Sequence, residues 1–178
     1  MLAQYDITDT NTEEEVKEPK INWFEIKQKT YVGGDLSARF GNLTYAYASP
    51  MIGYDFYKKM SVGVSGIYQL LYLTNGVSSQ SEHTIGGGIF FRYRPIDLLI
   101  LQTEFDLLNT VNYTSAPGNR INVPVFMFGA GYAGMLGDRA YYSLMLMFDF
   151  IDNENMPVPK LIPGIPLYYR AGFAFYLG

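Results

Sequence analysis

Asp138-Arg139-Ala140-Tyr141-Tyr142-Ser143-Leu144-Met145-Leu146-Met147-Phe148-Asp149-Phe150-Ile151-Asp152 alternates without a break. One face reads Ala140, Tyr142, Leu144, Leu146, Phe148 and Phe150. The other reads Arg139, Tyr141, Ser143, Met145, Met147 and Asp149. A period of two is the side-chain period of a β-strand. The sense of the alternation is unusual for a soluble protein, because the unbroken face is apolar and aromatic. The same contrast recurs along the chain, with a second face that mixes charge, hydroxyl and glycine.

Working outward from this stretch, eight strand candidates span roughly 30–41, 43–57, 59–74, 82–94, 97–112, 122–136, 138–152 and 165–177. They are longer than the 5–6 residues usual for soluble strands. Lys58-Lys59, Pro95-Ile96 and Leu136-Gly137-Asp138 mark tight turns, whereas Asn75–Ser81, Tyr113–Ile121 and Asn153–Gly164 are longer, polar or Pro/Gly-rich loops. The first connection, at Gly41-Asn42, is short where this alternation wants a long loop. Strands one, two and six alternate less cleanly, and Pro50 and Pro124 interrupt their ladders. The strand charges fall on one face: Asp35, Arg39, Asp55, Arg92, Arg94, Glu104, Asp106, Asp149 and Arg170. Leu144, Leu146, Phe148, Phe150, Phe173 and Phe175 belong to the opposite one. A charge facing lipid at mid-bilayer costs about 2–4 kcal/mol for Arg or Lys. The pattern therefore predicts an all-β chain: an eight-stranded antiparallel up-and-down transmembrane β-barrel over 30–178. Its interior is closed and charge-paired, with room made by Gly63, Gly86, Gly88, Gly129, Gly131 and Gly172. A barrel of eight strands is only wide enough for its own side chains, so no open pore is expected.

Composition agrees with that class. Charged residues make up 17% of the 178, below the roughly 25% of soluble domains. The net charge is −4 and no basic cluster is present, which speaks against nucleic acid. The absence of cysteine excludes zinc-thiolate sites, disulfides and Cys nucleophiles. No window approaches the ~18 apolar residues of a spanning helix, so a membrane reading requires a closed barrel. Residues 1–29 carry seven acids and four lysines and read as a poorly ordered periplasmic tail. Met1-Leu2-Ala3-Gln4 has the look of a signal-peptide stub. Trp23, beside Phe24, suits a membrane–water interface.

The chain resembles the small outer-membrane β-barrels of Gram-negative bacteria, of the OmpA/OmpX transmembrane type. The resemblance covers residues 30–178 as pattern. It is most specific in Arg170-Ala171-Gly172-Phe173-Ala174-Phe175-Tyr176-Leu177, which looks like a barrel-assembly signal carried by Arg170, Gly172, Phe175 and Leu177. Gly178 departs from the pattern, since many members end on an aromatic residue. The opening Tyr31-Val32-Gly33-Gly34 and Ser49-Pro50-Met51-Ile52-Gly53-Tyr54 also look like those of small barrels of this kind. The resemblance implies residence in the bacterial outer membrane with both termini periplasmic, contact with outer-membrane lipid, and recognition by the barrel-assembly machinery during biogenesis. No peptidoglycan-binding domain follows the last strand, so that activity is not implied.

Chemistry-bearing motifs are sparse, and no cofactor or metal site is read. His83 is the only histidine and lies near Ser78, Ser79, Ser81 and Glu82. Some small barrels are lipid-modifying enzymes with such a group at the rim. Neighbours in sequence do not establish a triad, so replacing His83 is expected to change nothing. Arg92 and Arg94 with Glu104 and Asp106 are explained by pairing inside the barrel. Asp152, Asn153, Glu154 and Asn155 lack the spacing of a calcium loop, and Gly86-Gly87-Gly88 is no phosphate loop. The apolar loop 156–166 is read as folding over the barrel mouth, or as a surface through which the 153–166 loop docks on other outer-membrane proteins. The leading functional reading is non-enzymatic: a structural or interaction role, including that of a subunit in a larger envelope complex. The alternatives are an outer-membrane lipid-modifying enzyme and a lipocalin-like carrier of a small molecule.

Overall fold

The computed structural model describes residues 22–74, 79–112, 119–156 and 158–178, with Ser79 described in backbone only. Helix α1 (Trp23–Lys29) precedes eight strands: β1 (Thr30–Arg39), β2 (Leu43–Tyr57), β3 (Met60–Thr74), β4 (Ser79–Ile96), β5 (Leu99–Val111), β6 (Arg120–Leu136), β7 (Ala140–Asp149) and β8 (Leu167–Tyr176). Each strand pairs antiparallel with its neighbours in sequence, and β1 closes on β8 from Tyr31↔Tyr176 to Leu36↔Ala171. The molecule is a closed, up-and-down, eight-stranded barrel.

The stagger of the barrel follows from its register. Stepping across partners from Thr30 leads through Tyr54, Val62, Phe91, Thr103, Phe128 and Phe148 to Leu167. The β8–β1 register then carries Leu167 to the level of Phe40, ten residues beyond the start. With ~3.3 Å per residue and ~4.8 Å between strands, that stagger tilts the strands by about 41° and gives a backbone radius of about 8 Å. Ten tilted residues then rise about 25 Å. An interior of this radius is filled by side chains.

The ends of the barrel differ. The turn end holds α1, the short connections after Tyr57, Ile96 and Leu136, and the C-terminus, where Leu177 N donates to Thr30 O at 2.9 Å. The opposite, loop end holds the short connection at residues 40–42, the long one after Asp149 and the projecting ends of β3 to β6. Two expectations are corrected here. The tail 1–29 is not uniformly unstructured, because residues 23–29 are helical; residues 1–21 lie outside the described ones. Asn22 caps the helix by accepting from Glu25 N at 3.4 Å, with Glu25 in the first turn and Lys29 in the last. Their 2.6 Å pair, through its hydrogen bond and then its charge, holds the Glu25 carboxyl below its ordinary range and Lys29 above. The turn placed at Pro95-Ile96 falls instead at residues 97–98. Pro95 sits in a register shift between Tyr93 and Ile96, where its missing N–H costs no ladder bond. Pro50 stays within β2, and the β2–β3 pairs break between Ala48↔Tyr68 and Met51↔Ser65 to accommodate it.

The two faces separate cleanly. Leu144, Leu146, Phe148, Phe173 and Phe175 point outward and are exposed, and Phe150, just past β7, is exposed beside them. The outward face is layered. Tyr132, Tyr142, Phe173 and Phe175 stand toward the turn end, Tyr68, Phe126, Phe148, Phe150 and Tyr169 toward the loop end, and Ile52, Val64, Ile89, Leu144 and Leu146 between them. The interior is less uniformly polar than the sequence pattern suggests. Ile100, Leu108, Val123, Val125, Met127, Met145 and Met147 form an apolar lining along β5, β6 and β7.

Candidate functional site

The polar interior gathers at mid-height on β1, β4, β5 and β8. Asp35, 1% exposed, faces Arg92 with Nη2 at 3.3 Å from Oδ2. Arg92 also donates from Nη1 to the Tyr141 hydroxyl at 2.9 Å and from Nε to Gln102 Oε1. Gln102 Nε2 donates in turn to Glu104 Oε1, and Arg170 Nη1 meets Glu104 Oε2 at 2.6 Å. The result is one continuous chain, Asp35–Arg92–Gln102–Glu104–Arg170, across the barrel lumen. The guanidinium planes add ring contacts: Arg92 lies 5.0 Å from the Phe90 centroid and Arg170 4.6 Å from that of Tyr47. A second cluster closes the turn end, where Arg94 lies 3.6 Å from Asp55 and donates to the Tyr176 hydroxyl, which donates to Asp55.

Six of the nine strand charges thus enter two ion-paired clusters. Arg39 does not. It points inward by register but stands exposed at the loop-end rim, beyond reach of the mid-height carboxylates. Asp106 and Asp149 are buried without an ion pair among the described residues, and Asp106 Oδ1 and Asp149 Oδ2 have no hydrogen-bond partner. Asp149 is held locally, accepting from Ile151 N at 3.0 Å. The sequence reading missed the neutral relays. Gln102, Tyr141 and Tyr176 carry no charge, although Gln102 lies two positions from Glu104 and so shares its face.

His83 is exposed on the outward face of β4, with Nδ1 2.7 Å from the Tyr68 hydroxyl. Glu82, next in sequence, points to the opposite face. Ser78 lies outside the described residues. Asn109, Asn122 and Arg120 share the outward face of these projecting ends, with Arg120 Nε donating to Asn109 Oδ1 at 2.5 Å and Asn109 Nδ2 to Asn122 Oδ1 at 2.8 Å. Among the described residues no group of His, Asp and Glu is arranged to hold a metal.

The loop after β7 bends over the mouth. Met156 and Val158 pack on the interior core, Lys160 Nζ reaches Asp152 at 2.6 Å, and Ile162 bridges to Ile165. Leu161, Ile162 and Ile165 remain exposed at its tip. In residues 170–177, Arg170 and Gly172 face inward while Phe175 faces outward on β8, with Leu177 exposed beyond it. No protein-family model matches the sequence, and no curated protein matches it either.

Proposed function

We propose that the chain is an integral outer-membrane barrel with a structural or protein-interaction role, a filled interior and both termini periplasmic. The outer face carries this reading. Round the barrel most outward strand positions hold apolar or aromatic side chains. The polar His83, Asn109, Asn122 and Arg120 gather at the projecting loop-end tips of β4, β5 and β6, and Arg120 is the one charged residue among the described outward positions. Two aromatic tiers flank an aliphatic one over about 25 Å, the height of the apolar band on outer-membrane barrels. Water gives no reason for such a surface, whereas lipid does. A soluble carrier would reverse the polarity, with its apolar face lining the cavity and its charges outside. The Asp35–Arg170 chain crosses the lumen at the height where a carrier would hold its ligand.

On this reading the barrel stays with native membranes through an alkaline wash, needs detergent for release, and shifts its gel mobility on heating. Recovery in the soluble fraction without detergent would overturn it. The exposed tip at Leu161, Ile162 and Ile165 is the contact surface for other outer-membrane proteins, and residues 170–177 are read by the assembly machinery before the barrel closes. A lipid-facing charge supplies a sharper check. Ile89 is exposed at mid-height between Val64 and Phe105. Ile89→Arg should lower folding stability in vesicles by about 2–4 kcal/mol. A water-facing site would tolerate it within ~0.5 kcal/mol. The filled lumen adds an electrical prediction: wild-type protein in planar bilayers should show no single-channel conductance steps, and reproducible steps would refute the closed interior.

A further inference from the structure

Helix α1 presents two adjacent rings to the outside: Trp23 is 68% exposed and Phe24 70%. We infer that α1 is an interfacial foot, whose two rings enter the leaflet at the turn end among anionic phospholipid headgroups. This use of α1 rests on the membrane reading, and it names the lipid that the turn end takes.

The last turn of α1 is tied to the barrel. Thr30 Oγ1 donates to Ile26 O at 2.7 Å, and a Cβ at Gly178 would lie 2.8 Å from Gln28 N. None of the helix residues is buried, and Ile26 does not join the apolar interior as Met156 and Val158 do at the loop end. The helix is therefore not a plug for the lumen, and no described residue covers its rings. Its height suits a boundary with lipid. Val32, two residues beyond Thr30, pairs with Phe175 of the turn-end aromatic tier. The helix thus leaves the barrel beside the level where amphipathic rings, Trp above all, are favoured. The charge at this end completes the match. Lys29 and Lys59 are paired with Glu25 and Asp97. Lys27, Lys58 and Arg139 are exposed there without an ion pair among the described residues, and Asp138 is the one acidic side chain left unpaired. A local excess of cations, on a chain whose net charge is −4, suits anionic headgroups. Lys27 follows Trp23 by four residues on the same side of the helix, so its ammonium stays at the phosphates while the ring lies deeper.

Trp23 is the only tryptophan, so the emission of the intact chain reports α1 alone. The test folds the protein into phosphatidylcholine vesicles with and without phosphatidylglycerol, and a heat-dependent gel shift verifies the barrel in each. In the anionic vesicles acrylamide should quench Trp23 about threefold less than in the urea-unfolded chain, and lipid brominated near the glycerol should quench it about twofold more than lipid brominated at the chain end. Lipid quenching should fall by about half in phosphatidylcholine alone and in Lys27→Glu. It should fall by about half in Phe24→Ser as well, a second exposed change that leaves the barrel folded. A folded barrel whose Trp23 stays open to acrylamide would overturn the foot and leave the membrane reading standing. Shielding from acrylamide without quenching by brominated lipid would overturn it in favour of residues 1–21 or another copy as the cover. Equal quenching with and without phosphatidylglycerol would overturn the anionic headgroup. A chain that enters neither kind of vesicle would sink the foot and the membrane reading together.

Discussion

Arg170→Met is expected to destabilise the barrel by about 3–5 kcal/mol, measured as the shift in urea-induced unfolding followed by circular dichroism. The cost lies less in the lost attraction than in what remains. Glu104 is buried, and its Oε2 has Arg170 Nη1 as partner at 2.6 Å, so truncating the arginine strands a carboxylate in a lumen too full to admit bulk water. Glu104→Leu should be comparably harmful for the mirror-image reason, with the guanidinium left against the Tyr47 ring and the Met127 sulfur and no carboxylate in contact. The double variant Glu104→Leu/Arg170→Met removes both charges. It should recover most of the loss, remaining about 1–3 kcal/mol below wild type because Gln102 Nε2 then lacks its acceptor. Additive losses in the double variant would mean that the two residues contribute independently and that the chain of interactions from Asp35 to Arg170 is not a unit.

That chain also marks the limit of what periodicity reveals. The period-two pattern at 138–152 gives strand, facing and relative polarity, because all three are local properties of the backbone. Asp35, Arg92, Glu104 and Arg170 fall on the inner face for that reason. Their partnership does not follow from facing, since residues 57 and 66 positions apart meet only through the ten-residue stagger of the closed barrel. The same stagger explains Arg39. It shares the facing of Asp35, four residues earlier, yet those four residues carry it from mid-height to the rim, where it stands exposed outside the network. Helix α1 was hidden because seven residues give too short a run for a 3.6-residue period to stand out, and only Asn22 signals its start. The burial of Tyr47 Oη and Gln69 Oε1 without a hydrogen-bond partner was hidden because satisfaction is a property of packing, not of pattern.

Packing also sets the largest contrast between chemically identical substitutions. Gly131→Ala should cost about 3 kcal/mol, whereas Gly66→Ala should be neutral or stabilise by up to ~1 kcal/mol. Both glycines lie inside long strands, so intrinsic strand preference favours alanine equally at each. Their surroundings differ. Gly131 faces the lumen on β6, opposite Met145, and a Cβ there meets the Leu144 carbonyl oxygen and lies 2.7 Å from Met145 Cα. These are backbone atoms of β7, and they yield only if the β6–β7 ladder opens. Gly66 faces outward on β3, where a Cβ finds only Pro50 Cγ at 3.8 Å, an ordinary contact. There the substitution acts through the unfolded chain, which loses freedom it would otherwise give up on folding. Unfolding midpoints of the two variants under one set of conditions decide the matter. Equal midpoints would mean that β6 and β7 are not held at the spacing that makes glycine necessary, and that the lumen is loosely filled at the level where the ion-paired chain crosses it.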